Sequence, residues 1–356
     1  MRKRLGNIFW TRSMGRRMGA LTRTVLRTSA KLAKAAAPKS ARATKTRKAP
    51  MAHTPVARQP LGMRAGMAIG PAGAKRYYLY RPPAKAPAGN WALLVMLHGC
   101  GQDASSFAAS TRMNRLAAAA GMVVVYPDQD RLANVQGCWN WFDTRSGRAQ
   151  REAASILAVV DQVCAAYPID TQRIAIAGMS AGAGMAALLA ITYPDRFAVV
   201  AMHSGVGPGL AHSSATALSA MRGRAASVGK PLPSATPGRL PALLVIQGNR
   251  DTVVAPVNGG LAAMRWAAMV HAKPAAPRVV QRGTRYPATL TEWKLGKRVV
   301  ATWVQVAGLG HAWSGGAASQ PYSDPAGPDA SRMVLAFAQR AFAQHVSDAA
   351  LAARAP

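Results

Sequence analysis

Five short apolar runs mark the middle of the chain: WALLVMLHG (91–99), MVVVYPD (122–128), RIAIAGM (173–179), FAVVAMHSG (197–205) and PALLVIQG (241–248). They are continuous rather than alternating, as strands buried on both faces must be. Between them stand segments with helical spacing at 106–120, 148–166, 181–192 and 257–270, and 329–344 closes the series. Such alternation predicts a mostly parallel, doubly wound sheet with helices on both faces. KRYYLYRP (75–82) is expected to be the first strand, after a Pro- and Ala-rich linker that reaches about Pro71. The stretch 288–307 alternates around LGK and reads as a hairpin. With 356 residues, half of them hydrophobic, the chain can bury one sizeable core. We place a single α/β domain at 59–350 and treat 1–58 as a basic tail and linker.

The formal net charge of +32 is unevenly spread, because residues 1–50 hold fifteen Lys or Arg and no Asp or Glu. A basic residue every few positions leaves no apolar run to serve as the core of a signal peptide, despite the pair Arg16-Arg17. No apolar stretch elsewhere reaches about 18 residues, so no membrane span is expected. Unpaired cations would attract an anionic surface such as nucleic acid, an acidic membrane or a lipid-coated granule. A solvated arm, or a translation start near Met51 or Met63, is the alternative. The three cysteines Cys100, Cys138 and Cys164 are too few and too widely spaced for a zinc site, and HExxH is absent. Chemistry is therefore expected from side chains alone, with no metal and no cofactor.

In a doubly wound sheet, functional groups gather at the carboxyl edge of the strands. Ser180 stands at that edge, between the run 173–179 and the helical segment 181–192, with Gly178 and Gly182 on either side. GxSxG alone is a weak pattern; between a strand and a helix it predicts a sharp turn that holds the hydroxyl out. A serine hydroxyl attacks only when a histidine takes its proton and a carboxylate orients that histidine. On this architecture the order is Ser, then acid, then His. Between Ser180 and the late histidines stand only Asp195, Asp251 and Glu292. Asp195 falls at the far end of the following helix and Glu292 in the hairpin. Asp251 directly follows the strand 241–248 and emerges beside Ser180. Of His271, His311 and His345, only His311 lies in a glycine-flanked loop after a strand, GLGHAWSGG. The expected oxyanion donors are the backbone N–H groups of Ala181 and, in LHGCGQ, of Cys100.

With these residues placed, the chain resembles the polyhydroxybutyrate depolymerase family of esterases, within the α/β-hydrolase superfamily. The resemblance rests on LHGCGQDASSFAASTRMNRLA, VVYPDQ, ANVQGCWNWF, AGMSAGAGMAALLAITYPDRFAVVAMHSG, QGNRDTVVAPVNG and GLGHAWSGG, in order from about 75 to 340. It implies an α/β-hydrolase fold, a triad of Ser180, Asp251 and His311, and hydrolysis of carboxylic esters. The implied substrates are 3-hydroxybutyrate polyesters or oligomers, or feruloyl and acetyl esters of plant polysaccharides. Members of the family are commonly secreted, whereas this sequence shows no readable signal, so a cytoplasmic location is the alternative. A different class stays open: an idle hydrolase fold tethered by the tail to a granule or nucleic acid. The resemblance also pairs the cysteines of HGC and GCWNW, implying a disulfide between Cys100 and Cys138, with two reduced thiols as the alternative. Trp139, Trp141, Phe142 and Trp313 would give an apolar wall to an acyl chain, and Asn140 would orient a substrate carbonyl. Simple loop packing is the other reading of these aromatic rings.

Overall fold

The structure is a computed structural model that describes residues 62–224, 232, 235 and 240–352, with side chains as far as Gln344. The basic segment 1–58 lies outside the described residues. Strands β1 (Met63–Gly70) and β2 (Gly73–Tyr80) form an antiparallel hairpin. The segment before Pro71 is thus a strand, not a linker. It escapes a pattern reading because half of its residues are exposed and glycines interrupt its apolar positions.

The buried centre follows the apolar runs. Strands β3 (Trp91–Leu97) and β4 (Met122–Pro127) are buried at every residue. Helices α1 (Ala104–Thr111) and α2 (Met113–Ala119) lie between them, where one helix was expected. Arg112 separates the two by adopting a left-handed backbone, φ 53°, and its guanidinium donates to the Gly315 carbonyl. Helix α3 (Arg148–Ala166), strand β5 (Ile169–Met179), helix α4 (Ala181–Thr192) and strand β6 (Val199–His203) follow. Helix α5 (Ser214–Met221) was not expected; Ser213 and Thr216 cap it reciprocally. Strand β7 (Ala242–Gly248) and helix α6 (Val257–Ala268) complete the alternation.

Short strands β8 (Lys273–Pro274) and β9 (Arg278–Val280) lead into the expected hairpin of β10 (Ala288–Leu295) and β11 (Arg298–Val306). Strands β12 (Trp313–Ser314) and β13 (Ser323–Asp324) pair beside the sheet, and helix α7 (Ala330–Ala352) ends the described chain. The order across the main sheet is β1-β2-β4-β3-β5-β6-β7-β11-β10-β8. From β4 to β11 every neighbouring pair is parallel. Alternate residues supply two cores, one on each face: Leu93, Val95 and Leu97 join Trp266, while Leu94 and Met96 join Phe107 and Phe337. Each fully buried aliphatic chain contributes about 1.5–3 kcal/mol. The result is a rigid platform whose carboxyl edge carries β5, β6, β7 and β11 side by side.

Candidate active site

Ser180 links β5 to α4 with φ 55° and ψ −118°, a conformation that costs a non-glycine residue about 1–3 kcal/mol. Its N–H donates to the His203 carbonyl at 2.8 Å, and its carbonyl accepts from Ala183 and Gly184. The flanking glycines are steric requirements. A methyl on Gly178 would lie 2.3 Å from the Gly182 carbonyl, and one on Gly182 would lie 2.2 Å from the Leu97 oxygen. Helix α4 thus starts against the end of β3, with its N-terminal amides at the serine.

Asp251 follows β7, and its carboxylate is fully buried. Oδ1 accepts from the amides of Val253 (2.9 Å) and Val254 (2.8 Å), while Oδ2 accepts from Gln247 Nε2 (3.0 Å) and from His311 Nδ1–H (2.8 Å). Burial alone would raise the carboxyl pKa, but the bond and charge of His311 and the two amides outweigh it and hold it below the usual range. Backbone contacts bind the two loops together: Arg250 N–H donates to Leu309 O, and Gly308 N–H to Asn249 Oδ1. The histidine is therefore oriented with Nε2 left to act. Among the described residues the Ser180 hydroxyl makes no hydrogen bond to His311.

His203, at the end of β6, stands between the two halves. Its Nε2 accepts the Ser314 N–H at 3.1 Å, so the ring proton is on Nδ1 and is shared with Ser204 Oγ at 3.0 Å. The ring stacks on Trp313, with centroids 4.9 Å apart. Complete burial, reinforced by the nearby His311, lowers its pKa to about 3. His203 is thus a neutral strut, and it was not foreseen from the sequence.

The loop after β3 is locked at Gly99. The Gly99 carbonyl accepts from His98 Nδ1–H (2.9 Å) and Gln102 N–H (3.2 Å), and its N–H donates to Gln102 Oε1 (3.0 Å). The Nδ1 tautomer of His98 is dictated by the Gln129 N–H, which donates to Nε2 at 3.1 Å. In a trans peptide the Cys100 N–H points opposite the Gly99 carbonyl. Among the described residues, the amides of Cys100 and Ala181 donate to no protein acceptor. A methyl on Gly99 would lie 3.6 Å from Ser180 Cβ, so this loop sits against the serine. Cys100 and Cys138 are joined in a disulfide.

The four residues expected to meet the substrate, Trp139, Asn140, Trp141 and Trp313, are all buried in the free chain. Trp139 Nε1 donates to His98 O, and Trp313 Nε1 to Ser331 Oγ. Trp141 packs on Gly184 and edge-on against Phe142. Asn140 is held by buried Glu152, which accepts from its N–H (2.6 Å), its Nδ2 (3.2 Å) and Gln129 Nε2 (2.5 Å). Lys75, also buried, donates to Gln129 Oε1 and lies 5.1 Å from the Trp139 ring centre. Trp139 and the linked Lys75, Gln129, Glu152 and Asn140 thus support the loop after β3.

Residues 75–276 match the family of esterase PHB depolymerases. The chain belongs to this family. It is 36% identical over 187 residues to a poly(3-hydroxyalkanoate) depolymerase C of Paucimonas lemoignei, covering 49% of this chain and 43% of that protein. It is 35% identical over 133 residues to a feruloyl esterase B of Neurospora crassa, covering 37% of this chain and 44% of that protein. The chain therefore spans less than half the length of either relative. An acetyl xylan esterase structure from Aspergillus awamori superposes with a TM-score of 0.59 at 21% identity, over 70% of this chain and 93% of that one. That likeness shows the α/β-hydrolase fold, in agreement with the parallel sheet and its helices.

Proposed function

We propose that this family member is a serine esterase that hydrolyses carboxylic ester bonds, with poly(3-hydroxybutyrate) or its oligomers as substrate. The observation that carries the reading is a strained Ser180 elbow after β5 on the same sheet edge as the hydrogen-bonded Asp251–His311 couple after β7 and β11. Ser180 Oγ attacks the ester carbonyl carbon while His311 Nε2 takes its proton, and Asp251 stabilises the imidazolium at Nδ1. The N–H groups of Cys100 and Ala181 receive the oxyanion. Collapse breaks the bond to the leaving alcohol, which takes the proton from His311. Water, deprotonated by the same imidazole, then releases the acid and regenerates Ser180.

A polymer is favoured over a small ester by exposed apolar side chains beside the oxyanion loop. Leu132 and Val135 are almost fully exposed on the loop whose Gln136 carbonyl accepts the Gly101 N–H. The Tyr322 hydroxyl lies 3.6 Å from a methyl built on Gly101. The basic segment 1–50 would add attraction to an anionic granule or membrane. Hydrolysis of p-nitrophenyl butyrate and of amorphous polymer is expected from the native chain and not from S180A. Undiminished turnover by S180A refutes the assignment.

A further inference from the structure

Away from the Ser180 edge, a cavity of about 820 Å³ opens between α7, the end of α2 and the β10–β11 hairpin. Its floor is apolar, with Leu244, Val304 and Phe337 among the contributors. Six arginines line it, Arg278, Arg282, Arg285, Arg298, Arg332 and Arg340, against two carboxylates, Glu292 and Asp329. Both carboxylates are engaged: Glu292 by Lys294 at 3.0 Å and Arg278 at 3.8 Å, Asp329 by Arg332 at 3.4 Å. Arg285 donates to the carbonyls of Pro325 and Gly327, and Arg298 to that of Leu240. The carbonyl bonds hold the Arg285 guanidinium in place without cancelling its charge. Arg340 lies over the Phe337 ring at 5.9 Å, which puts a cation directly above the apolar floor.

Apolar walls with excess positive charge, in a volume typical of small-ligand sites, suit a molecule with a hydrocarbon-like chain and an anionic end. Guanidinium groups match a carboxylate in shape and charge. The same charge argues against one other occupant, since the identical face of a second copy would be repelled. We propose that this cavity is a binding site for a carboxylate carrying an aliphatic or ester chain. Free fatty acids and the acid end of a 3-hydroxyacyl oligomer share that chemistry. Occupancy does not require the Ser180 reaction.

The test is isothermal titration of full-length S180A, which removes the proposed nucleophile, with dodecanoate in one arm and the linear 3-hydroxybutyrate trimer in another. Saturable binding of at least one is expected, with dodecanol binding about tenfold or more weakly. The exposed pair R282E/R340E, and the milder R282Q/R340Q, should weaken the carboxylate by about tenfold or more. With Ser180 restored, these pairs should leave hydrolysis of a short p-nitrophenyl ester unchanged, which also reports that they fold. The arm that binds identifies the source of the carboxylate. Absence of saturable binding in both arms overturns the proposal, as does affinity that either arginine pair leaves unaltered. Either result leaves the esterase reading untouched, and an inactive wild type with an intact binding site would do the converse.

Discussion

His203 Nε2 accepts the N–H of Ser314 at 3.1 Å, which ties the end of β6 to the loop carrying His311. The same residue's carbonyl takes the N–H of Ser180, so one buried histidine spans the proposed nucleophile and the proposed base. Its contribution is to position them. H203F keeps the ring volume and loses the acceptor, and should lower kcat by about 10–100-fold with little change in KM. H203Q, whose Oε1 can reach the Ser314 N–H, should recover most of the loss. Steady-state kinetics on a soluble ester decides, and an unchanged kcat in H203F removes the positioning role.

The pH dependence of stability has a definite sign. His203 stays neutral when folded, with a pKa of about 3, but titrates near 6.5 when unfolded. Below about pH 6.5 the unfolded chain binds the extra proton, so the contribution is complete above that pH and is lost as pH falls towards 3. The slope approaches about 1.4 kcal/mol per pH unit for this one group. Buried His98, also shifted down, acts in the same direction, and Asp251 adds its share in more acidic solution. Urea midpoints between pH 7 and 4.5 should fall steeply in the native chain and less steeply in H203Q. Parallel curves for the two would contradict this.

The Cys100–Cys138 bridge closes a 38-residue span and anchors a proposed oxyanion donor. Loop-closure entropy gives it about 4 kcal/mol. C100S/C138S should therefore lose stability of that order in denaturant titrations and lose activity before it unfolds, as Cys100 N–H loses its fixed aim. Equal activity with and without reductant would argue that the other bonds at Gly99 suffice.

Two glycines near the site should behave differently. In G182A the new methyl meets the Leu97 carbonyl oxygen at 2.2 Å, a backbone atom that has nowhere to go. In G310A it meets nothing within 4 Å, although it adjoins His311. G182A should destabilise by more than about 3 kcal/mol or fail to accumulate, and G310A should be nearly neutral. Thermal unfolding of the pair measures the contrast.

Much of this arrangement could be read along the chain, and the misses have physical reasons. Strands β3, β4 and β7 are sealed on both faces, so their residues are uniformly apolar and conspicuous. Scarcity of acids made Asp251 easy to single out, and the structure bonds it to His311. Strand β1 was missed because an edge strand has one wet face and little pattern. The burial of the tryptophans was not legible. Sequence does not say which way a ring turns; Trp313 turns inward to Ser331 and His203. His203 itself was hidden because its partner, Ser314, lies 111 residues away. Likewise Glu152 reads as one polar position on a helix until Asn140 and Gln129 are folded onto it.

The Gly99–Cys100 peptide is held at its carbonyl by His98 and Gln102 before any ester arrives, and Gln102 also holds the preceding N–H, that of Gly99. Water around a nascent alkoxide has to reorient at the moment of bond formation, whereas this dipole was oriented during folding. Boronates, which become tetrahedral as a serine oxygen adds to boron, and phosphonates, already tetrahedral at phosphorus, should then bind in one kinetic phase with no slow tightening step.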